Sequence, residues 1–265
     1  MIRLLKGITS APDLCWPLIA KVFNRNYRVF LKTWKANLMF NFLEPILYLG
    51  AMGFGLGAYV TKVQGLSYIG FLGPGLIASS AMFAVTYEMT YGSFGRMSHQ
   101  KTFHAMVATP VGMDDVVMGE LLFGTFKGVL YGLVFAIVTL GFGLIKSPLA
   151  LLLPIPLALM AMSFSILSMI WTSIAPNYDS FGYFFTLLIS PMFLLSGVFF
   201  PVDGFPPAAQ LIPWFTPIYH GVEIVRPLVL GSLNWTMAGH LAWLAVFVLL
   251  TVRIPLVMVR NRLIK

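Results

Sequence analysis

LSYIGFLGPGLIASSAMFAVTYEMTY, residues 66–91, holds one charged side chain, Glu88, in 26 positions. A bilayer core of about 30 Å needs roughly twenty apolar residues as α-helix. This run is long enough, and it is continuously apolar rather than alternating, which argues against a transmembrane strand. Five more runs of the same kind flank it, at 37–60, 117–145, 149–174, 181–200 and 237–258. The chain as a whole is 58% hydrophobic and 10% charged, whereas soluble domains carry about a quarter charged residues. Such a composition cannot cover a water-facing surface. The expected fold is an all-α integral membrane protein: one transmembrane domain over 1–265 with six membrane-spanning helices.

Glycine and proline inside these runs (Gly53, Gly55, Gly57, Pro154, Pro156, Pro191) do not argue against helices, because membrane helices tolerate them and small residues allow close approach. Basic residues set the orientation. Arg3, Lys6, Lys21, Arg25, Arg28, Lys32 and Lys35 precede the first run, Arg96 and Lys101 lie between the second and third, and Arg260, Arg262 and Lys265 follow the sixth. The opposite loops hold only Lys62, Lys146 and Arg226. By the positive-inside rule both termini are expected in the cytoplasm. The formal net charge of +8 then belongs to cytosolic flanks facing anionic lipid, and no nucleic-acid module is visible.

Two amphipathic segments remain. Residues 16–36, WPLIAKVFNRNYRVFLKTWKA, mix aromatics with spread cations and read as an interfacial helix on the inner leaflet. Residues 203–232 are too broken by proline to span and too apolar for a free loop, so one or two short outer helices are expected, dipping back toward the membrane. The first residues lack the apolar core of a signal peptide, so no cleavage is expected. Cys15 is the only cysteine, which excludes an internal disulfide.

No GxxxxGK[ST] occurs; the nearest stretch, GELLFGTF at 119–126, lacks the lysine, so the chain is not expected to bind ATP. No HExxH, GxSxG or clustered Cys/His pattern is present. His99 and His104 are five apart, off the i, i+4 spacing of a helical metal pair, and no metal is expected. Glu44, Glu88 and Lys127 fall within spans, where charges are functional suspects. Either they pair, Lys127 with Glu44 or Glu88, or they line an entrance for a polar headgroup. The aromatics Tyr178, Phe181, Tyr183, Phe184, Phe185 and Phe193 crowd the fifth run. They either pack, or stack against sugar rings in a conduit. Against this apolar background, GRMSHQKTFHAMVATPVGMDD at 95–115 is a polar island. A short helix over 96–109, ended near Pro110, presents Met97, Lys101 and His104 on one stripe and Phe103, Met106 and Val107 as apolar contacts. A mixed surface with aromatic and methionine anchors suits docking into a groove of another protein, with Phe103 and Met106 as its main anchors.

The stretch SYIGFLGPGLIASSAMFAVTYEMTYGSFGRMSHQKTFHAM (67–106) resembles the permease subunit of type-2 ABC exporters, in the NodJ branch that exports lipo-oligosaccharide signals. YLGAMGFGLG (48–57), APNYDSFGYFFTLLISPMFLLSGVFFPVD (175–203) and HGVEIVRPLVLG (220–231) agree with it in order and spacing. The resemblance implies a half-transporter in the inner membrane. Two copies pair, and each docks a separate NodI-like ATPase subunit that carries the ATP and Mg. It also implies that 96–109 is the coupling helix against that ATPase. The implied cargo is amphiphilic: a lipid-linked saccharide or lipo-oligosaccharide, with another lipid or a drug-like molecule as alternatives. An ATPase-independent secondary transporter is disfavoured, since no inverted repeat and no paired broken spans with acidic ion ligands are visible. A membrane enzyme is disfavoured by the lack of paired carboxylates or a His/Asp cluster facing across the loops.

Overall fold

The computed structural model describes residues 14–60 and 62–263; the side chains at 36–42, 44 and 45 lie outside that description, and with them the expected role of Glu44. Among the described residues the chain is helical throughout, with no strand beyond one bridge between Val63 and Leu66. Helix α1 (Trp16–Gly50) is followed by π and 3-10 turns to Ala58. Then come α2 (Tyr68–His99), the short α3 (Thr102–Val107), α4 (Met113–Gly141), α5 (Pro154–Ile174) and α6 (Ser180–Leu195). Two outer helices, α7 (Pro207–Trp214) and α8 (Pro217–Leu230), precede α9 (Thr236–Leu263).

Four helices, α2, α4, α5 and α9, are long and apolar enough to cross a membrane. Two shorter apolar helices, Ile46–Ala58 and α6, lie within the runs expected as first and fifth spans. The most apolar window of α2 is 89% buried and that of α9 only 28%. The stretch at 66–91 is therefore the axis of the bundle, while α9 leaves most of its surface outside it.

Several boundaries differ from the sequence reading; among them, 3-10 turns at Pro148–Leu152 precede α5, which starts at Pro154 rather than 149. No break separates an interfacial helix at 16–36 from the first span at 37–60, because α1 runs through both; the stretch between them contains neither glycine nor proline. The second span does not stop at Tyr91 but continues through two π-helical turns, Glu88–Gly92 and Gly95–His99. The expected helix over 96–109 is consequently split. Its first residues belong to α2, Lys101 turns the chain with a left-handed φ of 54°, and only Thr102–Val107 forms a separate α-helix. The polar island does not interrupt α2 because Arg96, its charge within that helix, is neutralised by carboxylates inside the protein. Finally, α4 starts at Met113 rather than 117. The Asp115 carboxylate accepts from the Gly112 N–H (3.2 Å), closing the first turn, and its other oxygen accepts from the Cys15 N–H (2.7 Å), fixing the start of α1 to the start of α4.

Lipid tails are as apolar as leucine, so helices in a membrane associate by close packing. Here the closeness comes from a glycine seam on α4, at Gly124, Gly128 and Gly132, four residues apart and so on one face. A Cβ at Gly128 would stand 2.7 Å from the Ala161 Cβ of α5 and 3.1 Å from the Ala81 carbonyl of α2. At Gly132 it would stand 3.0 Å from Leu157 and 3.2 Å from Ala81. By contrast, Gly141, at the end of α4, has open space around it.

Overpacking a tight core costs about 1–3 kcal/mol or more. Gly128→Leu is therefore expected to lower the melting temperature of the detergent-solubilised protein by several degrees, while Gly141→Leu leaves it unchanged. Equal behaviour of the two variants in fluorescence-detected size exclusion after heating would contradict the seam.

Candidate functional site

Where α1, α2 and α4 meet, four charges form one buried network. Arg96 is its centre. Its Nη2 lies 2.7 Å from Glu88 Oε1 and 2.6 Å from Glu120 Oε2. Glu88 Oε2 takes Lys127 Nζ at 2.6 Å. Glu120 is wholly buried and also accepts from Asn26 Nδ2 at 2.6 Å and Ser93 Oγ at 2.7 Å. The π-turns of α2 make this possible. A Cβ at Gly92 would stand 2.7 Å from Glu88 Oε1, so the carboxylate folds back into the space that glycine leaves. Such π-bulges recur at functional positions in helices.

A cleft of about 310 Å³ opens beside the network, between α1 and the lower part of α2. Arg25, Tyr91, Arg96, Gln100, Lys127 and Tyr178 contribute to its wall. Next to it an aromatic ladder runs along the seam of α2 and α6. Tyr87 stacks on Phe185 (centroids 4.7 Å apart), Tyr91 on Tyr178 (6.0 Å), and Tyr178 on His99 (5.0 Å). Tyr87, Tyr91 and Tyr178 each keep more than a third of their surface exposed.

The charged ends of the helices gather at the same face of the bundle. Arg260 of α9 pairs with Asp114 of α4, and Arg262 donates to the Thr172, Ser173 and Ala175 carbonyls (2.8–2.9 Å) that end α5. The α3 helix lies on this face. At the opposite end, Arg226 of α8 donates to the Gly197 carbonyl (2.7 Å) and sits 4.0 Å over the Phe71 ring. His220 of α8 and His240 of α9 meet there, Nδ1 to Nδ1 at 2.7 Å. His220 Nε2 lies 2.9 Å from the Trp214 carbonyl, which can only accept. The Nε2 therefore carries the proton, the His220 Nδ1 is an acceptor, and His240 donates to it. Burial pushes the His220 imidazole down to about 4, keeping it neutral.

The sequence offered Glu44 or Glu88 for Lys127; the ammonium meets Glu88. It did not offer Arg96, read there as an orientation marker, nor Glu120. The signal that could have found them is spacing: Glu88 and Arg96 are eight apart on α2, Glu120 and Lys127 seven apart on α4, so each helix carries both signs on one face. Two sets of expected site residues need correction. Met97 and Phe103 are fully buried, so neither is free to anchor a partner; Lys101, His104 and Ala105 are exposed, and Met106 and Val107 partly so. Of the expected aromatic pathway, Phe181, Phe184 and Phe193 are core residues, with Phe184 stacked on Trp171 (5.3 Å) and Phe193 against Phe199 (4.9 Å). Tyr178, Tyr183 and part of Phe185 face outward, and Tyr87 and Tyr91 join them. Among the described residues no cluster of three or more His, Cys, Asp or Glu forms a metal site.

Residues 18–230 match the family model described as ABC-2 type transporter. Nodulation protein J of Rhizobium leguminosarum bv. viciae is 38% identical over 262 residues, covering 98% of this chain and 100% of that protein. Nodulation protein J of Rhizobium meliloti (strain 1021) is 37% identical over 259 residues, 97% of each chain. The inner membrane transport permease YadH of Escherichia coli (strain K12) is 23% identical over 235 residues, 89% of this chain and 91% of that protein. No solved structure matches the chain.

Removing one partner of a buried ion pair costs about 3–5 kcal/mol, because the other charge is stranded. Arg96→Met strands Glu120, whereas Lys127→Met leaves Glu88 with Arg96. Arg96→Met is thus expected to destabilise the protein more, and adding Glu120→Gln to it should recover part of the loss; purely additive losses in thermal melts would contradict the network. The histidine pair gives a pH dependence. In the unfolded chain His220 takes a proton near its ordinary 6.5, and in the folded protein only near 4. Its contribution to stability is complete above about pH 6.5 and is lost as pH falls toward 4. Melting temperature should decline across that window, and His220→Phe should flatten the decline relative to wild type.

Proposed function

The chain belongs to the ABC-2 type transporter family, as the membrane subunit of an ABC exporter, and we propose that it exports an amphiphile with a saccharide head, a lipo-oligosaccharide or lipid-linked sugar. Members of this family work with an ABC ATPase. In this reading the ATPase is a separate, NodI-like subunit that binds the ATP and Mg, and two copies of this chain pair to form the pathway. The end bearing Arg96, Lys101, Arg260 and Arg262 is cytoplasmic, so both termini are inside, and the membrane is the inner one, as the name of the YadH relative has it for that protein.

The observation that carries the reading is the family match over 18–230, which contains α3 and both helices that α3 joins. The docking surface is the exposed side of α3, at His104 and Ala105 with the edges of Met106 and Val107. ATP-driven closure of the partner pushes α3. That push reaches α2 through the tight corner at Lys101 and α4 through the capped turn at Gly112 and Asp115. These two helices are packed along the glycine seam, so they move together and bias the bundle between inward- and outward-facing states. The half-exposed tyrosines of the α2–α6 ladder offer flat faces to sugar rings along the way.

Ala105 is exposed, so Ala105→Trp adds bulk to the docking face without entering the core. The tagged variant should purify monodisperse from its native host. The ATP-hydrolysing activity that copurifies with it should fall about tenfold or more, as expected for losing 1.4 kcal/mol or more at an interface. Unchanged copurification and unchanged export would overturn this assignment of the docking surface.

A further inference from the structure

The buried charge network is complete without Arg25. Glu88 is held by Arg96 and Lys127, and Glu120 by Arg96, Asn26 and Ser93. Arg25 nevertheless lines the same cleft, half-buried, with Arg96 close enough to repel it. Its one side-chain hydrogen bond among the described residues runs from Nη1 to Asn26 Oδ1 (2.8 Å), and it forms no ion pair with a described carboxylate. A guanidinium has five N–H donors. Burial first, and then the neighbouring Arg96, work against its charge and outweigh the opposing pull of Glu120, leaving it below the usual arginine range.

An arginine on an amphipathic helix ordinarily extends its head to water. Its neighbour Arg28, on the same helix, does so and is exposed. Arg25 instead turns into a cleft where three cations (Arg25, Arg96, Lys127) stand against two carboxylates (Glu88, Glu120), one positive charge in excess. The remaining wall carries no further charge: the Gln100 amide stands at the open rim with the rings of Tyr91 and Tyr178, and Val29, Phe30 and Phe123 form an apolar side. A Cβ at Gly95 would stand 2.9 Å from the Tyr178 hydroxyl, so glycine there lets that hydroxyl reach the cleft wall. The volume of about 310 Å³ is ample for a tetrahedral oxyanion with a short substituent.

We propose that this cleft binds a phosphate-type oxyanion, with Arg25 as the residue that contacts it and Gln100 closing the rim. Planar guanidinium donors match the oxygens of a phosphoryl group. The anion offsets the excess charge and relieves the Arg25–Arg96 repulsion. Because the cleft lies between the amphipathic part of α1 and the bundle, both a membrane-lipid headgroup and a free phosphate can reach it. The site stands on the charge count and geometry of this chain alone, whatever the exporter carries.

The test uses the full chain purified into nanodiscs with its copurifying ATPase. Two probes are compared: phosphatidylglycerol in a phosphatidylcholine background, and inorganic phosphate added to phosphatidylcholine discs. Retained phosphatidylglycerol is read by native mass spectrometry, and the melting temperature is read for both probes. Wild type and Arg28→Gln should retain the lipid or show the phosphate-induced rise, whereas Arg25→Gln should lose it at least severalfold and Arg25→Lys should recover part. Gln100→Glu, an exposed change that supplies Arg25 with a built-in carboxylate, should also expel the anion, and it serves if Arg25→Gln proves unstable. Retention of lipid without a phosphate effect identifies a headgroup site; a phosphate effect of the same residue dependence identifies a free-anion site. Binding that falls equally in Arg25→Gln and Arg28→Gln, or persists in both Arg25→Gln and Gln100→Glu, overturns the proposal. ATPase copurification, unaffected by these changes, keeps this outcome separate from the docking assignment.

Discussion

One guanidinium in a low-dielectric interior governs the lower half of the bundle. Arg96 joins a carboxylate of its own helix to a carboxylate of α4, and through Asn26 the second of these also holds α1. Charges buried this way contribute little net stability against water, but they are expensive to misplace. They therefore act as a register device. Sliding α2 against α4 by one turn would move Arg96 away from Glu120 and Glu88 away from Lys127 at once. Dispersion along an apolar helix face has no such preference, because one leucine contact resembles another. The glycine seam brings the helices close, and the network decides at which height they stand.

The same reasoning explains which parts of the structure the sequence reveals. Long apolar runs have one interpretation in a membrane, so the existence of α2, α5 and α9 is legible from composition, but their ends are not: α2 runs on to His99 and α5 begins at Pro154. Polar residues at 95–99 look like a loop when taken singly, yet as ion-paired residues they prolong a helix. Likewise, the sequence pattern at 16–50 changes from amphipathic to apolar at about 36, and this change marks a change of surroundings rather than of backbone.

The candidate site was half legible. Charges within apolar runs pointed to Glu88 and Lys127. Arg96 and Glu120 escaped because each had another explanation, one as a topology marker and one inside a stretch compared with a phosphate loop. The short α3 was recognised as a separate device, but not its inward side. Phe103 and Met97 fit a docking pattern by residue type, yet Met97 is buried as part of α2 and Phe103 after the left-handed turn at Lys101, which a helical-wheel argument does not show. A left-handed residue with a side chain costs roughly 1–2 kcal/mol. The first turn of α3 holds this corner, since the Ala105 N–H donates to the Lys101 carbonyl (3.1 Å).

The continuity of α1 has a mechanical meaning. At 1.5 Å per residue, its 35 residues make a rod roughly 50 Å long. One end is pinned to α4 at Asp115, and the other merges into the wide turns after Gly50. A rod pinned near one end is a lever. A rotation of only ~5° about that pin displaces the far end of a ~50 Å helix by roughly 4 Å, close to the pitch of one helical turn. Had the chain broken at 36, the same rotation would have been absorbed in a hinge. A small angular change at the pinned end of this helix thereby becomes a larger displacement at its far end.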